Sequence, residues 1–200
     1  MPEPHSSFVG SNPVELWLRR WGLWLAFIWG VAEATFFFIV PDVAVGASAL
    51  FRPRRAMAAA GAAIAGALVG GLILYGVAAA LGFELRDTIE RVPGIPPEMV
   101  ACAQSELAEH GGAALVLAPF SGTPYKIYAA EWAMRGWGLP ALLAWTVPAR
   151  AIRIVPVAVV TALVGMWGRK WLMRRSGLWL VGYGLIWTVF YIFYFRANGS

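Results

Sequence analysis

The 200 residues are 60% hydrophobic and 14% charged, with a mean hydropathy of +0.65, whereas soluble domains run at roughly 45–50% apolar and about 25% charged. That balance excludes a soluble globular domain, and the lack of alternating polar and apolar residues in segments of about ten excludes a membrane β-barrel. The net charge of +5 gathers at Arg19-Arg20, at Arg52, Arg54 and Arg55, and at Arg169-Lys170 with Arg174-Arg175, each beside an apolar segment, a placement that sets membrane orientation rather than nucleic-acid binding.

The fold class expected is therefore an all-α integral membrane protein. Residues 1–13 form a polar N-terminal tail. The apolar segment after Arg20 is too long for a signal-peptide core and lacks a small-residue cleavage site, so it is expected to be retained. The first apolar block, 14–51, is broken at Pro41-Asp42. The nine residues left before Arg52 would reach about 14 Å as a helix, half of a hydrocarbon core roughly 30 Å thick. With arginines at both ends, the block is expected to form a re-entrant hairpin that returns to its own side.

Residues 56–82 read as a transmembrane helix, within a stretch of 28 residues without a charge. Gly66 and Gly70 make a GxxxG pair suited to close helix packing. Residues 83–110 carry six acids against two arginines and are expected to form an external loop. The "VPGIPP" run within it marks a turn. From Pro97 to His110, Met99, Val100, Ala103 and Leu107 form the apolar stripe of a short surface helix.

Residues 111–139 repeat the logic of the first block. An apolar arm, a break at Pro119, Gly122 and Pro124, and a second arm predict another re-entrant hairpin, since an interior proline costs about 3 kcal/mol in a helix. Residues 140–168 read as the next transmembrane helix, and 169–200 as a basic cytoplasmic turn and a C-terminal transmembrane helix. Trp171, Trp179, Trp187, Tyr191 and Tyr194 are available for interfacial belts. The hydropathy pattern is then hairpin plus span twice over, entered from opposite faces, which is an inverted repeat. Such halves commonly carry a site where their broken helices meet.

Charges inside membrane segments cost roughly 2.5–3.5 kcal/mol at the centre and mark sites facing protein or water. Five residues qualify: Glu33, Asp42, Lys126, Arg150 and Arg153. Arginine forks suit phosphate oxygens and buried carboxylates suit proton exchange, so an anionic, phosphate-bearing substrate and protons are the expected partners. The alternative is a set of ion pairs that only holds the bundle together, with the arginines snorkelling if their helix begins near Val147.

No HExxH, GxSxG, Walker or GxGxxG pattern occurs, and Ser121 has no histidine within the membrane segments to activate it, so enzymatic chemistry is not expected. A single cysteine, Cys102, and two histidines, His5 and His110, give no basis for a disulfide, a metal site or another cofactor.

Glu33, the apolar run and Pro41-Asp42, together with "PFSGTPYKIYAAEWAMRG", resemble the two characteristic regions of the DedA/VTT (SNARE-associated) membrane protein superfamily, over roughly residues 30–168, and within it the YqaA-like branch. The resemblance implies facing re-entrant hairpins and lipid translocation in a bacterial inner membrane, coupled to protons in bacterial relatives and scrambling in eukaryotic ones. Carried over by position, Glu33 and Asp42 are the acids and Lys126 the cation of the second hairpin. The tip here reads Pro-Asp-Val where Pro-Gly-Glu is usual in that family. The placement of basic and acidic residues gives the expected orientation, with a cytoplasmic N-terminus and the 83–110 loop and the C-terminus outside.

Overall fold

The computed structural model describes residues 12–36, 39–82, 84–85, 89 and 95–198. Most of the polar tail, and Val92-Pro93-Gly94 of the expected turn, lie outside the described residues. Within them all regular structure is helical, and three runs are long and apolar enough to cross a membrane: Pro53–Leu81, Leu139–Trp167 and Ser176–Tyr194. The chain is a helical membrane protein.

The first block comprises α1 (Pro13–Thr35) and α2 (Asp42–Phe51). Asn12 starts α1, its side chain accepting from the Val14 N–H at 3.0 Å, and Pro13 occupies the first turn where no N–H is needed. After Thr35 the chain turns back, and the Trp29 indole donates to the Ile39 carbonyl at 2.8 Å. A 3-10 turn, Pro53–Arg55, leads into α3 (Ala56–Leu81). The surface helix expected from the sequence is α4 (Pro97–His110), which buries Val100, Ala103 and Leu107.

The second block is α5 (Ala113–Ser121) and α6 (Tyr125–Met134). Pro119 was expected in the break but lies inside α5; the break itself spans only Gly122 to Pro124, opened by Gly122 at φ +78°. A left-handed residue is what stops a helix without a steric penalty when it is glycine. Next comes α7 (Leu139–Trp167), which carries Pro148 and Pro156 in its interior, followed by α8 (Arg169–Arg174) and α9 (Ser176–Asn198).

Helices α3 and α7 run antiparallel at the centre. Ala56, Ala59, Ala60 and Ala63 at the start of α3 pack with Ile154, Ala158 and Ala162 near the end of α7. Leu74 and Ala78 share a cluster with Leu142 and Ala149. Around this pair the packing is reciprocal: α1 lies on α3 and α5 on α7, whereas α2 crosses to α7 and α6 crosses to α3.

The two blocks open toward opposite ends of α7. Both outer ends of α1 and α2 meet the basic end of the bundle, where Leu18, Leu50, Phe51 and Leu172 cluster and Arg169 pairs with Glu15 at 3.3 Å. The outer ends of α5 and α6 instead lie by α4, where Arg135 donates to the Gln104 carbonyl at 2.7 Å.

Small residues set the closest crossing. A Cβ built on Gly66 would collide with the Phe27 carbonyl, and one on Gly30 with the Ala63 carbonyl, so the GxxxG pair serves α1 rather than a free groove. The outer faces of α3, α7 and α9 expose Ile73, Val160, Ile186 and Phe193, which lipid would cover at no cost.

Two outcomes test this arrangement. Gly66→Leu should lower stability in detergent by about 1–3 kcal/mol through overpacking, while Gly61→Ala, whose Cβ meets nothing within 4 Å, should raise it by roughly 0.5–1 kcal/mol. Cys102 is exposed on α4, and partial burial together with the Glu106 carboxylate, which accepts its S–H at 3.6 Å, pushes its thiol pKa up. An impermeant maleimide should therefore label Cys102 in intact cells, faster as pH rises and faster in Glu106→Gln; labelling only after lysis would reverse the expected orientation.

Candidate functional site

Glu33 lies in the last turn of α1, and Asp42 opens α2 beyond Pro41. Both acids are buried, at 5% and 4% exposure. Asp42 gains from the partial positive charge at the start of its helix, but the main partners of both acids come from α7. Arg150 Nη2 donates to Glu33 Oε2 at 2.6 Å and Nη1 to Oε1 at 3.3 Å, a two-pronged pair. One turn further along, Arg153 Nε donates to Asp42 Oδ2 at 2.8 Å.

Because α7 begins at Leu139 and has 29 residues, the two arginines sit near its middle. Their snorkelling from a helix end is thereby ruled out, and Arg150 is itself buried.

The Arg150 guanidinium also lies over the Tyr125 ring, 4.3 Å from its centroid, a cation–π contact that adds to the carboxylate bond in a dry environment. The Tyr125 hydroxyl is hydrogen-bonded to Thr146 Oγ1 at 2.6 Å, and Thr146 in turn donates to the Leu142 carbonyl at 2.8 Å. Tyr125 is thus fixed at both ends, and it fixes Arg150.

Both pairs face one cavity of about 440 Å³, within the range of ligand pockets. Its wall includes Val40 and Asp42 at the first break, Gly122, Thr123 and Pro124 of the second break, Pro119 from the end of α5 and the buried Lys126 from the start of α6. All five sequence-predicted charges therefore meet in one place, with the breaks of both blocks beside them.

The two ion pairs differ in kind. The Glu33–Arg150 side chains are 7% and 6% exposed and doubly bonded, whereas the Arg153 side chain is 28% exposed. Asp42 Oδ1 and Arg153 Nη2 of the second pair, and Arg150 Nε of the first, are buried and make no hydrogen bond among the described residues. Since buried polar atoms are nearly always bonded in native proteins, the second pair keeps both a donor and an acceptor in reserve beside the cavity, whereas the first keeps a donor alone.

Sequence reasoning missed the remaining wall. Trp187, Tyr191 and Tyr194, expected in an interfacial belt, line the charged cavity with Phe190 of α9. The Tyr191 hydroxyl accepts from the Val40 N–H at 2.7 Å, and the Tyr183 hydroxyl donates to the carbonyls of Asp42 and Val43, both at 3.1 Å. The signal was present as Tyr183, Trp187, Tyr191 and Tyr194, a face at helical spacing. It went unused because the same spacing fits a belt.

Together, the antiparallel helices and a charged cavity at mid-bundle define a polytopic membrane protein with a buried ionic site. Comparison with protein-family models, curated proteins and solved structures returns no match for this chain.

Removing one partner of a buried pair strands the other charge, at a cost of about 3–5 kcal/mol. Arg150→Met should show that loss in thermal or denaturant unfolding in detergent. Arg153→Met should lose less, since its side chain is partly open to the cavity; equal losses would contradict the distinction between the pairs.

Proposed function

We propose that the protein is a translocase for membrane lipids or lipid phosphates of the DedA/VTT type, in which α1–α2 and α5–α6 are re-entrant hairpins of an inverted repeat. The observation that carries this reading is the meeting of both helix breaks, two acids and three cations at one cavity midway along α7. The charge-free part of α1, Trp21–Ala32, covers about 18 Å, and α5 and α6 about 14 and 15 Å. Each is short of a bilayer core of about 30 Å, which supports re-entry over crossing.

In this reading Lys126 and the open edge of Arg153 contact the phosphate oxygens of a head group. Asp42, with one oxygen left over, exchanges a proton as the head group arrives and leaves. The aromatic face of α9 offers an apolar flank along which acyl chains remain in contact with lipid. The placement is a bacterial inner membrane with the basic end cytoplasmic, supported by the clustering of arginines at that end.

One observation favours a second reading. The closed, doubly bonded Glu33–Arg150 pair has the form of a structural tie, as in a non-transporting scaffold or envelope-homeostasis factor. The swap Glu33→Arg with Arg150→Glu tests it: restored folding without lipid flux would support the scaffold.

Leaflet exchange of a fluorescent anionic phospholipid in proteoliposomes tests the translocase. Asp42→Asn and Lys126→Ala should each slow exchange by roughly tenfold or more, the worth of a hydrogen bond to a charged group. Unchanged flux in both variants would sink the proposal.

A further inference from the structure

A second cavity, of about 450 Å³, lies between the end of α7, α8 and the first half of α9, separate from the charged site. Its walls are Leu50, Val164, Leu178 and Ile186, and Arg175 is the charged side chain of its lining. The two hydroxyls among the wall residues are satisfied locally. Tyr183 donates to the carbonyls of Asp42 and Val43, and Thr161 donates to the Val157 carbonyl at 2.6 Å.

At the mouth, Trp171 and Trp179 stand edge to face with ring centroids 5.3 Å apart. Arg175 sits beside them, adjacent in sequence to Arg174 and close to Arg169 and Lys170. An apolar slot with aromatic rings and cations at one end has the layered chemistry of one leaflet: acyl chain, interface, head group.

The dimensions agree. From Arg175 to Ile186 along α9 is about 16 Å, close to half of a hydrocarbon core of about 30 Å.

We infer that this groove is a binding site for an anionic phospholipid, one acyl chain lying between α7 and α9 and the phosphate held by Arg175 at the basic end. Charge complementarity selects this occupant over a zwitterionic lipid, because Arg175 is the charged residue of the lining, Lys170 and Arg174 are exposed nearby in the sequence, and none of the wall residues supplies a negative charge. Ile186 borders both cavities, so the bound lipid lies against the helix that walls the charged site. The inference stands independently of transport.

The test is native mass spectrometry of the full chain in detergent with dioleoyl-phosphatidylglycerol or dioleoyl-phosphatidylcholine. The anionic lipid should be retained preferentially, and Arg175→Gln should reduce its retention by about fivefold, the worth of one cation beside anionic lipid. Gly182→Leu should also release it, by filling the groove at a position where a Cβ meets nothing within 4 Å, which keeps the fold intact. Equal retention of both lipids by the native chain, or unchanged retention in both variants, would overturn the inference. Loss in Lys126→Ala alone would overturn it too, by assigning the lipid to the charged cavity.

Discussion

The organisation of this bundle depends on the need to neutralise two arginines placed in the middle of an apolar helix. A guanidinium cannot be left bare in hydrocarbon, and α7 carries Arg150 and Arg153 one turn apart where neither can reach an interface. The protein meets that constraint by bringing a second chain segment to the same height. Glu33 and Asp42 flank the first break, so the break must lie against mid-α7, and the positions of α1 and α2 follow.

The same constraint explains why the break is a turn rather than a kink. A continuous helix from Pro13 to Phe51 would separate Glu33 and Asp42 by about 13 Å along its axis, beyond the single helical turn that separates Arg150 from Arg153. Folding the chain back between α1 and α2 brings the two acids to the two arginines. The reciprocal packing, α2 on α7 and α6 on α3, then closes the bundle around the charges, with glycines allowing the close α1–α3 contact.

Helix α9 plays a different part. It packs sparsely on the rest of the bundle and leaves most of its surface to lipid, yet its tyrosines bond to backbone groups at the start of α2. The Tyr191 bond satisfies the Val40 N–H beside the first break, and the Tyr183 hydroxyl adds a second bond to carbonyls in the first turn of α2. The first half of α9 walls the apolar groove and its second half the charged cavity, with Ile186 lining both, so a single weakly packed helix borders an ionic site and an apolar one.

The sequence by itself determined the membrane class, the three long spans, both break positions to within a few residues, the amphipathic stripe of α4 and the five charges of the site, because hydropathy, proline and the cost of buried charge act locally and leave a local record. It did not determine which charge meets which. Lys126 and the two acids were expected to form the facing halves of the site, but the described hydrogen bonds to the acids come from Arg150 and Arg153, and Lys126 joins them as a wall residue. Nor did it separate an aromatic belt from a cavity wall on α9, or place Pro119 inside a helix. Pairing and facing depend on how the helices cross and rotate against one another, and those relations between distant residues were decided only by the tertiary structure.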